Sequence, residues 1–296
     1  MSGISTNRTN ITLPTEISAE IMQKTQEQSA VMSLARQIAL PGRGLTIPVI
    51  TGDPEAAWVD ETAAKPVSNP SLSTKIMQAY KLAVIVPFSD EFVRDMSALY
   101  DALIARLPLA LAQKFDATVF HGTAPGSNFD TFAGVTAQTI SGTGHSFYGA
   151  LVDCDTAIAT AGGILNGFAM SPQAKGEMLA AVDNNKRPLF VNSVAEGAVP
   201  RLIGAPVSYS KGAYKAGDSN TEDVLGFAGD WTQAMYGTVE GIKIDMSNQA
   251  TLTVGTGDDA QTINLWQRNM FAVRAEIEVG FRADTDMFTK LTRTHA

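Results

Sequence analysis

An alternating segment near the C-terminus constrains the fold more than any other feature of the chain. In FAVRAEIEVGF, residues 271–281, apolar side chains occupy every second position, and Arg274, Glu276 and Glu278 lie between them. A period of two over this length predicts a long strand with one buried face and one charged face. Such a strand needs an apolar cover, and its charged face needs either water or partners of opposite sign.

The longest helical pattern in the chain can supply that cover. Apolar residues recur every three or four positions over residues 92–119, and Gly122 follows as a stop signal. We predict a helix over about 89–121, with Ser89 as its N-cap. Pro108 lies inside it, so either the helix kinks there or two helices abut. We expect the helix and the alternating strand to pack together, because they carry the two longest apolar faces.

A polar stretch, residues 51–75, separates two β-prone segments, LTIPVI and IMQAYKLAVIVPF. This order predicts an extended hairpin, and an excursion of this length in a compact domain is usually functional or disordered. Its one tryptophan stands among charged residues, and buried aromatic residues commonly anchor interfaces. We therefore expect a contact with another molecule at five residues of this stretch: Trp58, Asp60, Glu61, Lys65 and Lys75.

The N-terminal region divides into two parts. Residues 1–13 are rich in Thr, Asn and Ser, which predicts a flexible arm that only neighbouring molecules would order. Residues 15–35 carry two short apolar stripes that predict weakly amphipathic helices. The N-terminus lacks the apolar core of a signal peptide, and no window in the chain approaches the length of a transmembrane helix.

Composition excludes several classes of function. The 296 residues are 45% hydrophobic and carry a net charge of −8, so tight wrapping on nucleic acid is not expected, although contact at one face stays possible. A single cysteine, Cys154, rules out an intramolecular disulfide. With only three histidines beside it, we expect no metal site and no cofactor.

Candidate catalytic motifs are weak. The segments GTGH and GTGDD match neither a dinucleotide-binding nor a Walker motif, and no GxSxG is present. We interpret Cys154 as a core residue and His121 as a structural residue whose partial charge suits the C-terminal end of the helix dipole. Nothing converges on a catalytic site, so we expect that the protein is not an enzyme.

Five segments, in this order, resemble the major capsid proteins of tailed bacteriophages, whose fold is named after phage Hong Kong 97. Residues 87–122 resemble the spine helix of that family, including a D-x-x-x-x-x-G pattern at Asp116 and Gly122. The other four segments resemble the remaining strands and turns of the family: GFAMSPQAKGEMLAAVDNNKRPLF, RLIGAPVSYS, GFAGDWTQAMYGTVEGIKIDMS and FAVRAEIEVGFRADTDMFTKL.

The resemblance implies an α+β fold of the Hong Kong 97 type. Its parts would be an N-terminal arm (1–34), an extended loop (51–79), a peripheral domain (35–50, 80–130 and 265–296, with the spine helix at about 89–121) and an axial domain (131–264). The axial domain would then be an insertion between two halves of the peripheral domain.

The resemblance also implies a function: a major capsid protein that self-assembles into an icosahedral shell around the double-stranded DNA of a tailed phage. It would occur in the virion and assemble in the host cytoplasm. Its partners would be its own copies in pentamers and hexamers, a portal protein, the packaged DNA and no membrane. Some members of the family carry a scaffolding prefix that is later cleaved, whereas only residues 1–34 precede the predicted peripheral domain here. Either scaffolding is a separate protein or this chain already lacks its prefix; the initiator Met favours a separate scaffolding protein. An encapsulin-like protein compartment and, more remotely, an α/β enzyme are the alternatives.

Overall fold

The computed structural model describes residues 15–42, 44–50, 58–59, 72–91, 96–140, 146–182, 187–190, 201–255 and 261–295. The predicted flexible arm, residues 1–13, lies outside them. The helices are α1 (Thr15–Gln28), α2 (Ala30–Leu34), α3 (Met96–His121), α4 (Phe147–Thr160) and α5 (Pro172–Ala180).

The strands form two large sheets and two hairpins. The first six strands along the chain are β1 (Arg36–Ala39), β2 (Leu45–Ile50), β3 (Leu72–Met77), β4 (Tyr80–Ser89), β5 (Thr136–Thr139) and β6 (Gly167–Met170). The later ones are β7 (Arg201–Leu202), β8 (Ala205–Tyr209), β9 (Asp223–Gly229), β10 (Ala234–Thr238), β11 (Lys243–Ser247), β12 (Thr251–Val254), β13 (Gln261–Asn264), β14 (Met270–Ala283) and β15 (Phe288–Arg293).

The predicted alternating strand is confirmed as β14, the backbone of a five-stranded sheet. It pairs antiparallel with β4 along one edge and with β11 and β10 in turn along the other, while β1 adds parallel to β10. The predicted packing on the long helix is also confirmed. One apolar cluster joins buried side chains of α3 to buried side chains of the inner face of β14: Leu103, Leu107, Leu111, Phe271, Val273, Ala275 and Ile277.

Helix α3 is described from Met96 to His121. It runs unbroken through Pro108, so it is one helix, and it ends at His121 as expected. Ser89 ends β4, where it pairs with Met270 of β14, and its hydroxyl also accepts from the amide of Glu91 at 3.4 Å, as at a helix N-cap. Residues 92–95 lie outside the described residues, so the predicted start of the helix at about 89 stays a prediction.

The two N-terminal helices of the predicted arm are docked on the body of the protein. Ile21 of α1 is fully buried in the cluster that contains Leu103 and Leu107 of α3. In α2, Val31 is likewise fully buried, within the cluster that contains Phe115 and Val119 of the same long helix. The described part of the arm therefore belongs to the core of the subunit.

The second sheet has six strands in the order β5-β15-β9-β6-β8-β7. Helices α4 and α5 cover one of its faces through a cluster that includes Leu151, Ile158, Phe168 and Leu225. Cys154 is fully buried in this cluster, which confirms its interpretation as a core residue.

Some strands pair in the sheet of the other predicted domain. Strands β10 and β11 lie in the range predicted for the axial domain, 131–264, but they pair with β14 in the five-stranded sheet. Strand β15 lies in the predicted peripheral range, 265–296, but it pairs with β5 and β9 in the six-stranded sheet. Each crossing is a single 3-10 turn, Trp231–Gln233 or Thr285–Met287, so the sheet partner of a strand changes within a few residues.

Candidate functional site

The predicted hairpin is confirmed in its pairing and corrected in its return strand. Strand β2 pairs antiparallel with β3, from Leu45 opposite Met77 to Ile50 opposite Leu72. The return strand is therefore LSTKIM, whereas the predicted YKLAVIVPF segment belongs to β4 of the large sheet. An isolated two-stranded hairpin is marginally stable in water, so this one depends on its attachment and on what covers it.

The base of the hairpin is tied to the body of the protein by buried polar contacts. The Arg282 guanidinium donates to the carbonyl of Ile76 at 2.8 Å and to Asp130 Oδ1 at 2.7 Å. Asp130 Oδ2 in turn accepts from the amide of Ala283 at 3.1 Å. Because Arg282 is only 9% exposed, this ion pair is shielded from water and holds the hairpin base in one position.

A close backbone approach adds to this attachment. Gly44, just before β2, has φ +89°, and a Cβ there would lie 2.7 Å from the carbonyl oxygen of Met77. Only glycine fits both the left-handed conformation and the contact. Met77 itself is fully buried, so the base of the hairpin is packed against the body of the subunit.

The outer part of the hairpin has no comparable cover in the described residues. Trp58 is fully exposed, at 105% of its reference area, and its neighbour Val59 is 40% exposed. At the base, the side chain of Ile76 is 48% exposed, although its carbonyl is bound by Arg282. Large apolar side chains that are anchored on one side and open on the other are typical of surfaces that another molecule covers.

Of the five predicted site residues, two lie among the described residues, Trp58 and Lys75. Trp58 is exposed as the prediction requires, but Lys75 turns back to its own chain, where its Nζ donates to the carbonyl of Ala283 at 3.1 Å and lies 4.0 Å from Asp130. Asp60, Glu61 and Lys65 lie outside the described residues. Sequence reasoning missed the Arg282–Asp130 pair; the available signal was that Arg282 continues the charged face of the alternating strand.

The charged face of β14 is neutralised by its own sheet. Arg274 pairs with Asp245 of β11 at 2.7 Å, and Lys81 of β4 bridges Glu276 at 2.9 Å and Glu278 at 3.4 Å. The hydrogen bonds to Glu276 and Glu278 raise the pKa of Lys81, and the bond from Lys81 lowers the pKa of Glu276. Neighbouring strands therefore supply the partners of opposite sign, although exposed pairs of this kind add little stability individually.

His121 and Cys154 lie in environments that suppress their reactivity. Burial lowers the pKa of His121 to about 4, so the ring is neutral at neutral pH and donates from Nε2 to the carbonyl of Ala213 at 3.0 Å. The predicted charge interaction with the helix dipole is therefore wrong, and a hydrogen bond replaces it. Burial also raises the pKa of the Cys154 thiol to about 11, which keeps it protonated.

In the part of the chain that the structure describes, no group of three or more His, Cys, Asp or Glu residues is arranged to hold a metal ion. Within the same residues, no helix combines the length and apolar character needed to cross a bilayer.

Comparison with known proteins identifies relatives along almost the whole chain. Residues 9–287 match the phage capsid family. The probable major capsid protein of Mycobacterium phage L5 is 31% identical over 96% of this chain and 90% of its own. A solved structure from Mycobacterium phage Bobi superposes with a TM-score of 0.70 at 19% identity, covering 100% of this chain and 96% of the other. The capsid of a native GTA particle, determined with C5 symmetry, gives 0.62 at 16% identity over 99% and 95%.

The α+β architecture with its long helix and extended hairpin is that of a viral shell subunit, and the solved structures confirm the expected capsid fold. The chain belongs to the phage capsid family, because the family match spans nearly all of it and a relative is 31% identical over 96% of its length. Its function is that of a major capsid protein, a structural component of the phage virion, and the compartment and enzyme alternatives are not favoured.

Proposed function

We propose that copies of this chain form pentamers and hexamers that close into an icosahedral shell around double-stranded DNA, with a portal protein at one site and a separate scaffolding protein during assembly in the host cytoplasm. Membership of the phage capsid family supports this proposal, and a similar GTA capsid has been determined with five-fold symmetry. The observation in this chain that carries it is the anchored hairpin with the uncovered Trp58.

The anchored hairpin supports a directional contact between copies. Its base is held by Arg282 and Asp130 of its own subunit, and its outer part exposes Trp58. A patch of one copy that is covered by a different patch of the next is a heterologous contact, and such contacts close into rings when the rotation permits. Asp60, Glu61 and Lys65 would surround the aromatic anchor, where exposed charges tune specificity more than affinity.

The division into peripheral and axial domains also belongs to this proposal. Each large sheet has its own helical cover, α3 for the five-stranded sheet and α4 with α5 for the six-stranded sheet. With the exchanged strands taken into account, the peripheral domain (35–50, 80–130 and 265–296) gains β10 and β11, and the axial domain (131–264) gains β15.

The charge of the chain is suited to enclosing DNA without gripping it. Tight binding to the duplex depends on many Lys and Arg contacts that release counterions. This chain has a net charge of −8, so its copies would hold the packaged DNA by confinement. Contact with DNA would then be independent of sequence.

Electron microscopy and size-exclusion chromatography of the purified protein, with and without the candidate scaffolding protein, test the shell. We expect closed particles that elute in the void volume and share one or a few diameters. A chain that stays monomeric at high concentration under both conditions would contradict the proposal.

Fluorescence quenching tests the hairpin contact separately. The chain has three tryptophans, of which Trp231 is buried at 3% and Trp266 is 68% exposed. In a Trp266→Phe background, quenching by acrylamide therefore reports mainly on Trp58. We expect strong quenching in the free subunit and protection in the shell; equal quenching in both states would show that Trp58 is not covered by a neighbour.

A further inference from the structure

A buried carboxylate near the C-terminal end of α3 receives hydrogen bonds from two other parts of the chain. Asp116 is fully buried. Its Oδ1 accepts from the Ser29 hydroxyl at 2.5 Å and from the Val31 amide at 3.4 Å. Its Oδ2 accepts from the Ala30 amide at 2.9 Å and from the Ser210 hydroxyl at 2.5 Å. A single side chain thus satisfies donors from the N-terminal helices and from the end of β8.

The direction of these bonds is set by the two serines. The Ser29 oxygen already accepts from the Met32 amide at 3.1 Å, as the N-cap of α2, so its proton is free to be donated to Asp116. The Ser210 oxygen accepts from the Gly212 amide at 3.2 Å in the same way. Each serine therefore passes a hydrogen bond from a backbone amide to the carboxylate, and both chains of bonds end on Asp116.

The contact on the side of Ser210 depends on a glycine. The 3-10 turn Lys211–Ala213 lies so close to α3 that a Cβ on Gly212 would come within 2.7 Å of Asp116 Cβ and 3.0 Å of the Ala117 amide nitrogen. This turn follows β8 directly, and the Ser210 amide donates to Met170 of β6 at 2.9 Å. Ser210 is therefore part of the six-stranded sheet as well as a partner of α3.

Burial and hydrogen bonding act on Asp116 in opposite directions. Burial raises its pKa to about 6, while the bonds from Ser210, Ser29 and the two amides lower it and limit the rise. The interactions that shift it include no charged side chain. The ionised carboxylate is thus held by neutral donors alone. Loss of one donor raises the pKa of Asp116 further, so the carboxyl is protonated more often and then accepts more weakly from the donors that remain.

We propose that Asp116 is a conformational latch that couples docking of the N-terminal helices to the position of the six-stranded sheet on α3. The donors from Ser29, Ala30 and Val31 and the donor from Ser210 share one carboxylate, so displacement of either group weakens the hold on the other. The coupling is reciprocal, because two sites that stabilise the same state affect each other by the same factor. It is a property of the single subunit and holds whether or not the proposed shell contacts form.

Hydrogen exchange of the free subunit tests the latch with the Ser210→Ala variant. The Ser210 hydroxyl bonds to Asp116 and to the Gly212 amide, yet we expect exchange at the Ala30 and Val31 amides to accelerate at least about fivefold, the lower end of usual coupling between sites. The reciprocal variant, Ser29→Ala, should accelerate exchange of the Gly212 amide by a similar factor. Amides in the centre of β14 should keep their rates in both variants, which excludes global unfolding as the cause.

Ser171→Ala is the matched control. Ser171 is also a fully buried N-cap serine at the end of a strand in the six-stranded sheet, where it caps α5 through the Ala174 amide, but it has no bond to Asp116. We expect its effect at Ala30 and Val31 to be negligible. If Ser210→Ala accelerates exchange only around Gly212, or affects α2 no more than Ser171→Ala does, Asp116 merely fills two separate structural roles and the latch is refuted. Should Ser210→Ala not fold, the reciprocal Ser29→Ala measurement decides alone.

Discussion

The joint between the two sheets and the outer hairpin place aromatic residues in opposite environments. At the joint, Phe132 stacks on Phe288 with ring centroids 4.3 Å apart and meets the edges of Phe281 and Trp231 at 5.5 and 5.9 Å. All four rings are buried within one subunit. In the hairpin, Trp58 is fully exposed. At the joint, the subunit buries its own aromatic rings, whereas Trp58 would be buried only by contact with another molecule.

The number of covering layers explains the contrast. The rings at the joint come from both sheets and from the loop after α3, and α2 and the end of α3 close the same cluster. The hairpin is a two-stranded sheet whose described outer residues meet no further layer, although its base is fixed by Arg282. Because the joint is large and apolar, the two sheets are expected to behave as one packed unit in the free subunit.

Ile277→Asp, in the packed core, should cause the largest loss of stability among the variants considered. Ile277 is 1% exposed between α3 and β14, so the variant places an unpaired carboxylate in an apolar layer. We expect a loss of at least about 5 kcal/mol in the free energy of unfolding, measured by denaturant titration. Glu278→Gln, on the charged face of the same strand, should lose less than about 1 kcal/mol. If the two losses are equal, the strand faces are assigned incorrectly.

Phe132→Ala tests the joint itself and should have the next largest effect. The variant leaves a cavity among the rings of Phe281, Phe288 and Trp231, and truncation of a buried phenylalanine usually costs about 3–5 kcal/mol. Unfolding followed by tryptophan fluorescence and by circular dichroism should show one transition that moves in parallel for both probes. Two separated transitions would show that the sheets unfold independently and that the joint does not unite them.

The pH dependence of stability should carry a smaller contribution from Asp116. Its pKa in the folded protein is raised from 3.8 to about 6, so the folded state binds a proton more tightly than the unfolded state. Its contribution to the free energy of unfolding therefore increases as the pH falls from about 6 towards 4, by up to ~3 kcal/mol at about 1.4 kcal/mol for each pKa unit.

Asp116→Asn serves as the comparison for this pH effect, because it cannot titrate. The difference in unfolding free energy between the wild type and this variant should change through the stated pH window and level off on either side. A difference that is constant between pH 4 and 7 would show that Asp116 keeps an ordinary pKa despite its burial.

Local periodicity was sufficient to predict the packed core. The alternation at 271–281 and the stripe at 92–119 identified β14, α3 and their contact, because burial of one face imposes a period that is visible in the residues themselves. The order of segments was sufficient to predict the capsid fold. The same reasoning did not reveal that Ser89 also ends β4 and pairs with Met270 in the sheet, because strand pairing depends on a distant partner.

Long-range partners could not be read from the sequence. Ser29 and Ser210 meet Asp116 from 87 and 94 residues away, and a lone serine carries no pattern that names its partner. The exchange of β10, β11 and β15 between sheets depends on single turns, so the domain boundary predicted at 264 does not follow the sheets. Lys75 was assigned to the interface from its place in a polar stretch, although its amine contacts Ala283 of its own chain.

Trp58→Ala should have the smallest effect on the stability of the free subunit and a large effect on assembly. It therefore separates the role of the exposed hairpin from that of the buried joint. The indole is fully exposed, so its removal takes no contact from the free subunit, and surface substitutions of this kind usually change stability by less than about 0.5 kcal/mol. If a neighbour covers the indole, its loss should weaken each contact by about 2 kcal/mol or more, as at other aromatic anchors. Thermal unfolding of free subunits and the protein concentration needed for half-maximal shell formation measure the two effects.

The matched control is Trp266→Ala, which removes another exposed indole, 68% exposed, that lies outside the hairpin. A Trp58 variant that assembles like the control would leave the hairpin without its anchor role, whereas one that unfolds at a lower temperature would place the indole inside its own subunit.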